Sequence, residues 1–317
     1  MTDTQNEVFK TPVNKIRLFE HGAPGSQNFK LTRKYYTEDM PDGRVKHIVQ
    51  NITDPDIVPY IPDGIGNSAD TERIPAVLII PGGAFRRLVY NFEGEDVAKW
   101  LNSMGIAAFV LECRLPSDEH DNAEDVPLID AMRAMRVIRG RAQEFGIDEA
   151  KIGVMGFSAG GFMAALLSTA YESDVYADYK YKDEYDKLSA RPDFAVCSYP
   201  VISIDDCIEA GKRYMSEEQV LERISDSKAK ILHKYNPDKL VRPDMPPVFI
   251  CETDDDRTTL SENSVGFYMA ARKAGVSAEL HIFRTGGHGY GCGDDFAQTG
   301  EWKVLFTKWI KSIGIIS

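Results

Sequence analysis

Ile152-Gly153-Val154-Met155-Gly156-Phe157-Ser158-Ala159-Gly160-Gly161 is the stretch on which the reading of this chain turns. Lys151–Met155 is a short apolar run of strand character, and Gly161–Thr169 has the composition of a helix. Between them Gly156-Phe157-Ser158-Ala159-Gly160 matches G-x-S-x-G. The pentapeptide alone is weak, but a strand before it and a helix after it are what its chemistry requires. So sharp a turn forces the serine into a strained backbone conformation and needs small neighbours, supplied by Gly156, Ala159 and Gly160. The turn lifts the hydroxyl above the sheet edge, and the helix N-terminus behind it favours negative charge. Ser158 is therefore the candidate nucleophile; a plain helix cap is the alternative.

Outward from this turn, the pattern alternates. Ala76–Ile80, Ile106–Leu111, Phe194–Tyr199, Val248–Cys251 and Ala278–Phe283 read as strands. Gly94–Met104, Val126–Phe145, Ser261–Ala274 and Trp302–Ile313 read as helices; in the second, Leu128, Ala131, Met132, Met135 and Ile138 fall on one face. The expectation is a mainly parallel sheet covered on both faces. Ahead of it, Val45–Ile52 and Asp56–Tyr60 read as strands, followed by a loop at Pro62–Glu72. Residues 1–43 are polar and read as an irregular arm, leaving 44–317 as a single domain. Residues 202–247 break the rhythm. They are charged, with Ser216 and Gln219 spaced as a capping box, and read as a helical insertion over the carboxyl ends of the strands, where a lid would sit.

A serine hydroxyl needs a positioned base. Of the six histidines, His288 stands in Gly286-Gly287-His288-Gly289-Tyr290-Gly291, a glycine-rich loop after the last predicted strand. His281 lies inside that strand, and His21 and His120 sit in polar loops. An acid should hold the imidazole, and in the chain order Ser, acid, His it follows Val248–Cys251. Asp254, Asp255 and Asp256 are all candidates there. No His or Cys cluster accompanies them, so a metal site is not expected. Two backbone N–H groups should face the developing oxyanion. One belongs to Ala159; by position Gly83 and Ala84, in Pro81-Gly82-Gly83-Ala84-Phe85, supply the other. Arg86, Arg87, Arg114 and Tyr290 are near these loops in sequence and are candidate substrate contacts.

The formal net charge of −12 argues against nucleic-acid and anionic-membrane partners, which need a basic footprint. The five cysteines are odd in number, lack CxxC spacing and several fall in apolar runs, which suggests reduced, buried thiols. Met1–Lys10 has no hydrophobic signal core, and no apolar run approaches the ~20 residues of a membrane span. A cytoplasmic location is the expectation. The oligomeric state, including a homo-oligomer, is left open.

Together these segments resemble the α/β-hydrolase esterases related to acetyl xylan esterases and other carbohydrate deacetylases. Leu18–Ser26 (LFEHGAPGS) is similar to an LWPGGAPG-type segment, and Pro81–Phe85 to a PGGGY loop. Gly94–Leu115 (GEDVAKWLNSMGIAAFVLECRL), Ile152–Gly161, Arg191–Ile202 (RPDFAVCSYPVI) and Glu262–Gly291, ending in GGHGYG, extend the likeness over most of the chain. Thr253–Leu260 resembles the T-x-x-D-x-x-V-P loop of this fold, with Thr259-Leu260 in place of Val-Pro, and this singles out Asp256 as the acid. Ala84 replaces a glycine, and Cys113 stands where relatives often carry Tyr. The resemblance implies an α/β-hydrolase fold, no cofactor, and hydrolysis of short acyl esters, such as acetyl on a small-molecule ester or acetylated oligosaccharide. A prolyl-oligopeptidase-type peptidase shares the serine turn and residue order but usually adds a propeller domain, for which the chain has no repeats. A non-catalytic binding protein commonly loses one of the three reactive groups. Cleavage of the glycan backbone needs a pair of flanking carboxylates that this Ser–His–acid set does not supply.

Overall fold

The computed structural model describes residues 9, 13–65, 72–118, 120–216, 218–220, 229–293 and 298–317. Parts of the expected loop at 62–72, of the insertion and of the N-terminal arm therefore lie outside the described residues. The strands are β1 (Ile16–Arg17), β2 (Lys34–Asp39), β3 (Val45–Gln50), β4 (Asp56–Tyr60), β5 (Ile74–Ile80) and β6 (Leu88–Val89). They continue with β7 (Ala107–Glu112), β8 (Ile147–Phe157), β9 (Ala195–Ser198), β10 (Val248–Thr253) and β11 (Ala278–Phe283). The α-helices are α1 (Asp96–Ser103), α2 (Val126–Gly140), α3 (Ala142–Phe145) and α4 (Ala159–Ala170). After them come α5 (Ile204–Tyr214), α6 (Ala229–Lys234), α7 (Ser261–Lys273) and α8 (Trp302–Ser312).

Eight strands form the main sheet in the order β1-β4-β7-β5-β8-β9-β10-β11. From β7 to β11 every pairing is parallel, while β4 and β1 join antiparallel at one edge. β7, β9 and β10 are buried along their whole length, because helices cover the sheet and leave no solvent face for alternation. β11 is the other edge, and its partial exposure matches its interspersed Glu279 and His281. Trp100 of α1 packs edge-to-face on Trp302 at the start of α8, with ring centroids 4.9 Å apart. This is the α/β-hydrolase fold, with the candidate reactive residues on loops at the carboxyl ends of β5, β8, β10 and β11.

Between residues 13 and 43 the chain carries more regular structure than its polar composition suggests. β1 adds to the main sheet, and β2 pairs with β3 and β6 in a second, three-stranded sheet, so the turn at residue 43 lies inside a hairpin. Charge holds this segment down. Lys15 Nζ lies 2.6 Å from Glu112 Oε1, and Arg33 Nη1 lies 2.6 Å from both Glu112 Oε2 and Asp56 Oδ2. Glu112 is fully buried, so its two cations are needed to offset the cost of removing a carboxylate from water. Residues 202–247 carry α5 and α6. The Ser216–Gln219 capping box is present, with Ser216 N–H donating to Gln219 Oε1 (3.0 Å) and Gln219 N–H to Ser216 Oγ (3.3 Å). Lys234 and Tyr235 bind Asp125 at the start of α2, and Asn263 Oδ1 accepts the Ile202 and Ser203 N–H groups.

Candidate active site

Ser158 has φ 54° and ψ −118°, a conformation costly for a residue with a Cβ, at about 1–3 kcal/mol. The fold holds it there from both sides: Ser158 N–H donates to Ser198 O (3.0 Å), and Phe162 N–H to Ser158 O (3.0 Å). The glycines are sterically required. A Cβ on Gly156 would lie 1.9 Å from Gly160 O, and one on Gly160 would lie 1.9 Å from Ile80 O. α4 begins at Ala159, so its first N–H groups have no acceptor one turn earlier.

His288 comes within reach of both expected partners. Its Nε2 is 2.8 Å from Ser158 Oγ, and its Nδ1 is 2.6 Å from Asp256 Oδ2. The three candidate acids separate cleanly. Asp256 is 2% exposed, and its carboxylate also accepts the N–H groups of Thr258 (2.7 Å) and Thr259 (2.9 Å) and the Thr259 hydroxyl (3.0 Å). Burial alone would raise its pKa, but the bond and charge of His288 and these N–H donors outweigh it and hold it below the ordinary carboxylate range. Asp255 is exposed and accepts the Gly287 N–H (2.8 Å), pinning the histidine loop from outside. Asp254 is exposed, and its N–H donates to Phe283 O.

The loop after β5 takes positive φ at three successive residues: Gly83 (139°), Ala84 (57°) and Phe85 (60°). A Cβ at Gly83 would lie 2.1 Å from Arg87 O, so glycine is required there, whereas Ala84 carries its strain exposed. Gly82 cannot contribute its N–H to a ligand, because that group donates to Glu93 Oε2 (2.8 Å). Gly83, Ala84 and Ala159 remain the candidate oxyanion donors, the first two on a loop whose Gly82 lies against the serine turn: a Cβ on Gly82 would lie 2.9 Å from Ser158 Cβ. Beside them Gly82, Phe85, Leu115, Pro127, Ala159 and Met163 line a half-open, mostly apolar cavity of about 20 Å³.

Two of the four expected substrate contacts are corrected. Arg114 is fully buried, and its guanidinium binds Asp130 (Nη2–Oδ1 2.6 Å), Pro24 O and Ser26 Oγ (2.8 Å). A cation this enclosed needs a carboxylate of its own, and pairing with Asp130 leaves it as a tether for the N-terminal segment, backing the cavity from inside. Tyr290 is 5% exposed and packs edge-to-face on Tyr199 at 4.5 Å. Arg86 is exposed; Arg87 pairs with Glu38 and borders the cavity.

The structure adds residues that the sequence did not single out. Thr259 bonds Asp256 and lies 3.2 Å from His288 Nδ1, a contact that the Val of the resembling loop could not make. Glu93 is 5% exposed and lies behind the loop after β5. Tyr199 is fully buried, donates to Glu93 Oε1 (2.9 Å) and packs against the His288 ring at 5.0 Å. Their available signals were an acidic residue directly before Gly94 and a tyrosine ending an apolar strand, neither of which has a periodic signature. Glu252, fully buried next to the acid loop, has its carboxyl pushed well above the ordinary range by burial and by Asp256.

Residues 65–270 match the BD-FAE family model. The chain is 31% identical over 240 residues to an acetylxylan esterase of Xylanibacter ruminicola, covering 75% of this chain and 45% of that protein. It is 30% identical over 270 residues to endo-1,4-beta-xylanase B of Butyrivibrio fibrisolvens, covering 82% of this chain and 40% of that one. The chain thus spans a little under half the length of these curated relatives. Among solved structures, an acetyl ester-xyloside bifunctional hydrolase from Caldicellulosiruptor lactoaceticus is 35% identical with TM-score 0.69, covering 96% of this chain and 97% of its own. A thermophilic esterase from Thermogutta terrifontis, with butyrate bound, is 25% identical with TM-score 0.64, covering 84% of this chain and 92% of its own. No helix among the described residues is long and apolar enough to cross a membrane. With the matched model spanning the strand and helix that flank Ser158 and the loop that carries Asp256, the chain belongs to the BD-FAE family.

Proposed function

We propose that this chain hydrolyses short acyl esters, in particular acetyl on a sugar hydroxyl, through an acyl-enzyme on Ser158. The observation that carries the reading is the continuous line from Ser158 Oγ to His288 Nε2, and from His288 Nδ1 to Asp256 Oδ2. With Nδ1–H donating to Asp256, Nε2 is free to accept the serine proton as Ser158 attacks the ester carbonyl. The N–H groups of Ala159 and of Gly83 or Ala84 receive the oxyanion. His288 then protonates the departing alcohol. Water, deprotonated by His288, attacks the acyl carbon and releases the acid and Ser158. The names of the relatives support acetyl and a sugar ester as the substrate class. The small apolar cavity fits a methyl group better than a long chain. We further propose that α5 and α6, the described α-helices of the 202–247 segment, wall the site on the alcohol side. In a cytoplasmic setting the substrates would be imported acetylated oligosaccharides.

The test is a substrate panel with Ser158→Ala as control: p-nitrophenyl esters from C2 to C12, acetylated xylo-oligosaccharides, p-nitrophenyl xyloside and aminoacyl anilides. The expected result is turnover of C2 esters and release of acetate from the oligosaccharides, lost in Ser158→Ala. Preference for C8 and longer indicates a lipase. Anilide cleavage without ester preference indicates the peptidase. Turnover of none indicates a binding protein.

A further inference from the structure

We propose that Glu93 is a positioning residue for this reaction, one carboxylate that holds the oxyanion loop and the histidine loop in a common register. The inference rests on the serine-esterase reading above. Glu93 sits in a π-helical turn, Asn91–Glu95, immediately before α1. Such turns are rare and often mark functional positions. Here the turn directs an acidic side chain inward.

Among the described residues each carboxylate oxygen has one hydrogen-bond partner, and the two partners belong to different parts of the site. Oε2 accepts the Gly82 N–H at 2.8 Å. Gly82 is wedged tightly: a Cβ there would lie 2.7 Å from Glu93 Oε2, 2.4 Å from Phe157 O and 2.9 Å from Ser158 Cβ. The carboxylate thus presses the start of the oxyanion loop against the serine turn. It also removes Gly82 N–H as a donor, so that the following residues, Gly83 and Ala84, present theirs. Oε1 accepts the Tyr199 O–H at 2.9 Å. The Tyr199 oxygen in turn accepts the Gly291 N–H at 3.0 Å, three residues beyond His288, and its ring packs edge-to-face on the imidazole. Tyr199 is itself held at φ 37°, with its N–H on Cys251 O at 2.7 Å.

An ionised carboxylate suits this position because it only accepts, and can take both donors at once. Burial pushes the Glu93 carboxyl up, while the nearby His288, the Tyr199 hydroxyl and the Gly82 N–H pull it back. Glu93 does not touch the reacting atoms. Its effect reaches them through Gly82 and Tyr199, so its loss should appear in kcat rather than in KM.

The experiment compares Glu93→Ala, Glu93→Gln, Tyr199→Phe and Glu93→Ala/Tyr199→Phe in p-nitrophenyl acetate hydrolysis. Each kcat is normalised to the serines titrated by a p-nitrophenyl phosphonate, so misfolded protein is not counted. Glu93→Ala is expected to lose roughly 10²-fold in normalised kcat with KM changed by no more than about threefold. Glu93→Gln, whose amide can accept from Gly82 and donate to Tyr199 Oη, is expected to recover about tenfold of that loss. The double variant should be no slower than Glu93→Ala, because the two side chains act as one unit. Should Glu93→Ala fail to fold, Glu93→Gln and Tyr199→Phe carry the test, each with a lowered normalised kcat. Unchanged kcat in the folded variants, or a loss confined to KM, overturns the proposal while leaving the esterase reading intact. Absence of ester turnover or of phosphonate titration in the unsubstituted protein overturns both.

Discussion

Nδ1 of His288 lies 2.6 Å from Oδ2 of Asp256, while the neighbouring Asp255 accepts the Gly287 N–H of the same loop. Two adjacent carboxylates therefore predict different phenotypes. Asp256→Asn should lower kcat about 10³–10⁴-fold by disturbing the imidazole tautomer. Asp255→Asn keeps an acceptor for the Gly287 N–H and should leave kcat near that of the parent. Steady-state kinetics on p-nitrophenyl acetate checks this; equal losses would remove the distinction.

The cavity of about 20 Å³ beside Ala159 predicts acyl-chain selectivity. Met163→Ala on α4 and Phe85→Ala in the loop after β5 both enlarge it. Each should raise the ratio of C6 to C2 ester kcat/KM about tenfold, the scale of a few methylenes in an apolar pocket. An unchanged ratio would place the acyl group elsewhere.

Arg114 should behave as a stability residue. Arg114→Ala leaves Asp130 buried without its cation and is expected to cost about 3–5 kcal/mol in urea unfolding. Arg114→Met with Asp130→Leu removes both charges and should regain much of that loss.

His120 predicts a pH effect on stability. It is 4% exposed, its Nδ1 lies 2.9 Å from Ser26 Oγ, and burial with the adjacent Arg114 charge lowers its pKa to about 4. Its ordinary pKa is about 6.5, so between these values the unfolded chain binds a proton that the folded one refuses. The stability of the unsubstituted protein relative to His120→Gln should therefore fall as pH drops from about 6.5 towards 4, and level off below. Buried Asp56 and half-buried Asp118, raised to about 6, act in the opposite direction in this window but are common to both proteins, so the difference in thermal midpoint isolates His120.

Local pattern carried much of this structure. β4 and β11 run over the residues that alternation and apolar runs indicate, and the glycines around Ser158 could be read as steric requirements before any contact was known. What escaped depends on partners far away in sequence. β1 and β2 are short and polar, and they are fixed by Lys15 and Arg33 meeting Glu112, about eighty to one hundred residues on. In sequence Arg114 reads as a pocket residue because it follows a buried strand, yet its charge is satisfied by Asp130 one helix later. Glu93 is not legible in the sequence because a single buried acid leaves no periodic trace; the convergence of Gly82 and Tyr199 on it shows why it is there.

The central claim is that Ser158 carries the acyl group in turnover. Rapid acid quenching during p-nitrophenyl acetate hydrolysis, followed by intact-mass and peptide mass spectrometry, tests it most directly. The expected result is the added mass of one acetyl group, located on the peptide containing Ser158 and absent from Ser158→Ala. Continued turnover with no acetylated species, or with acetyl on another residue, would contradict it.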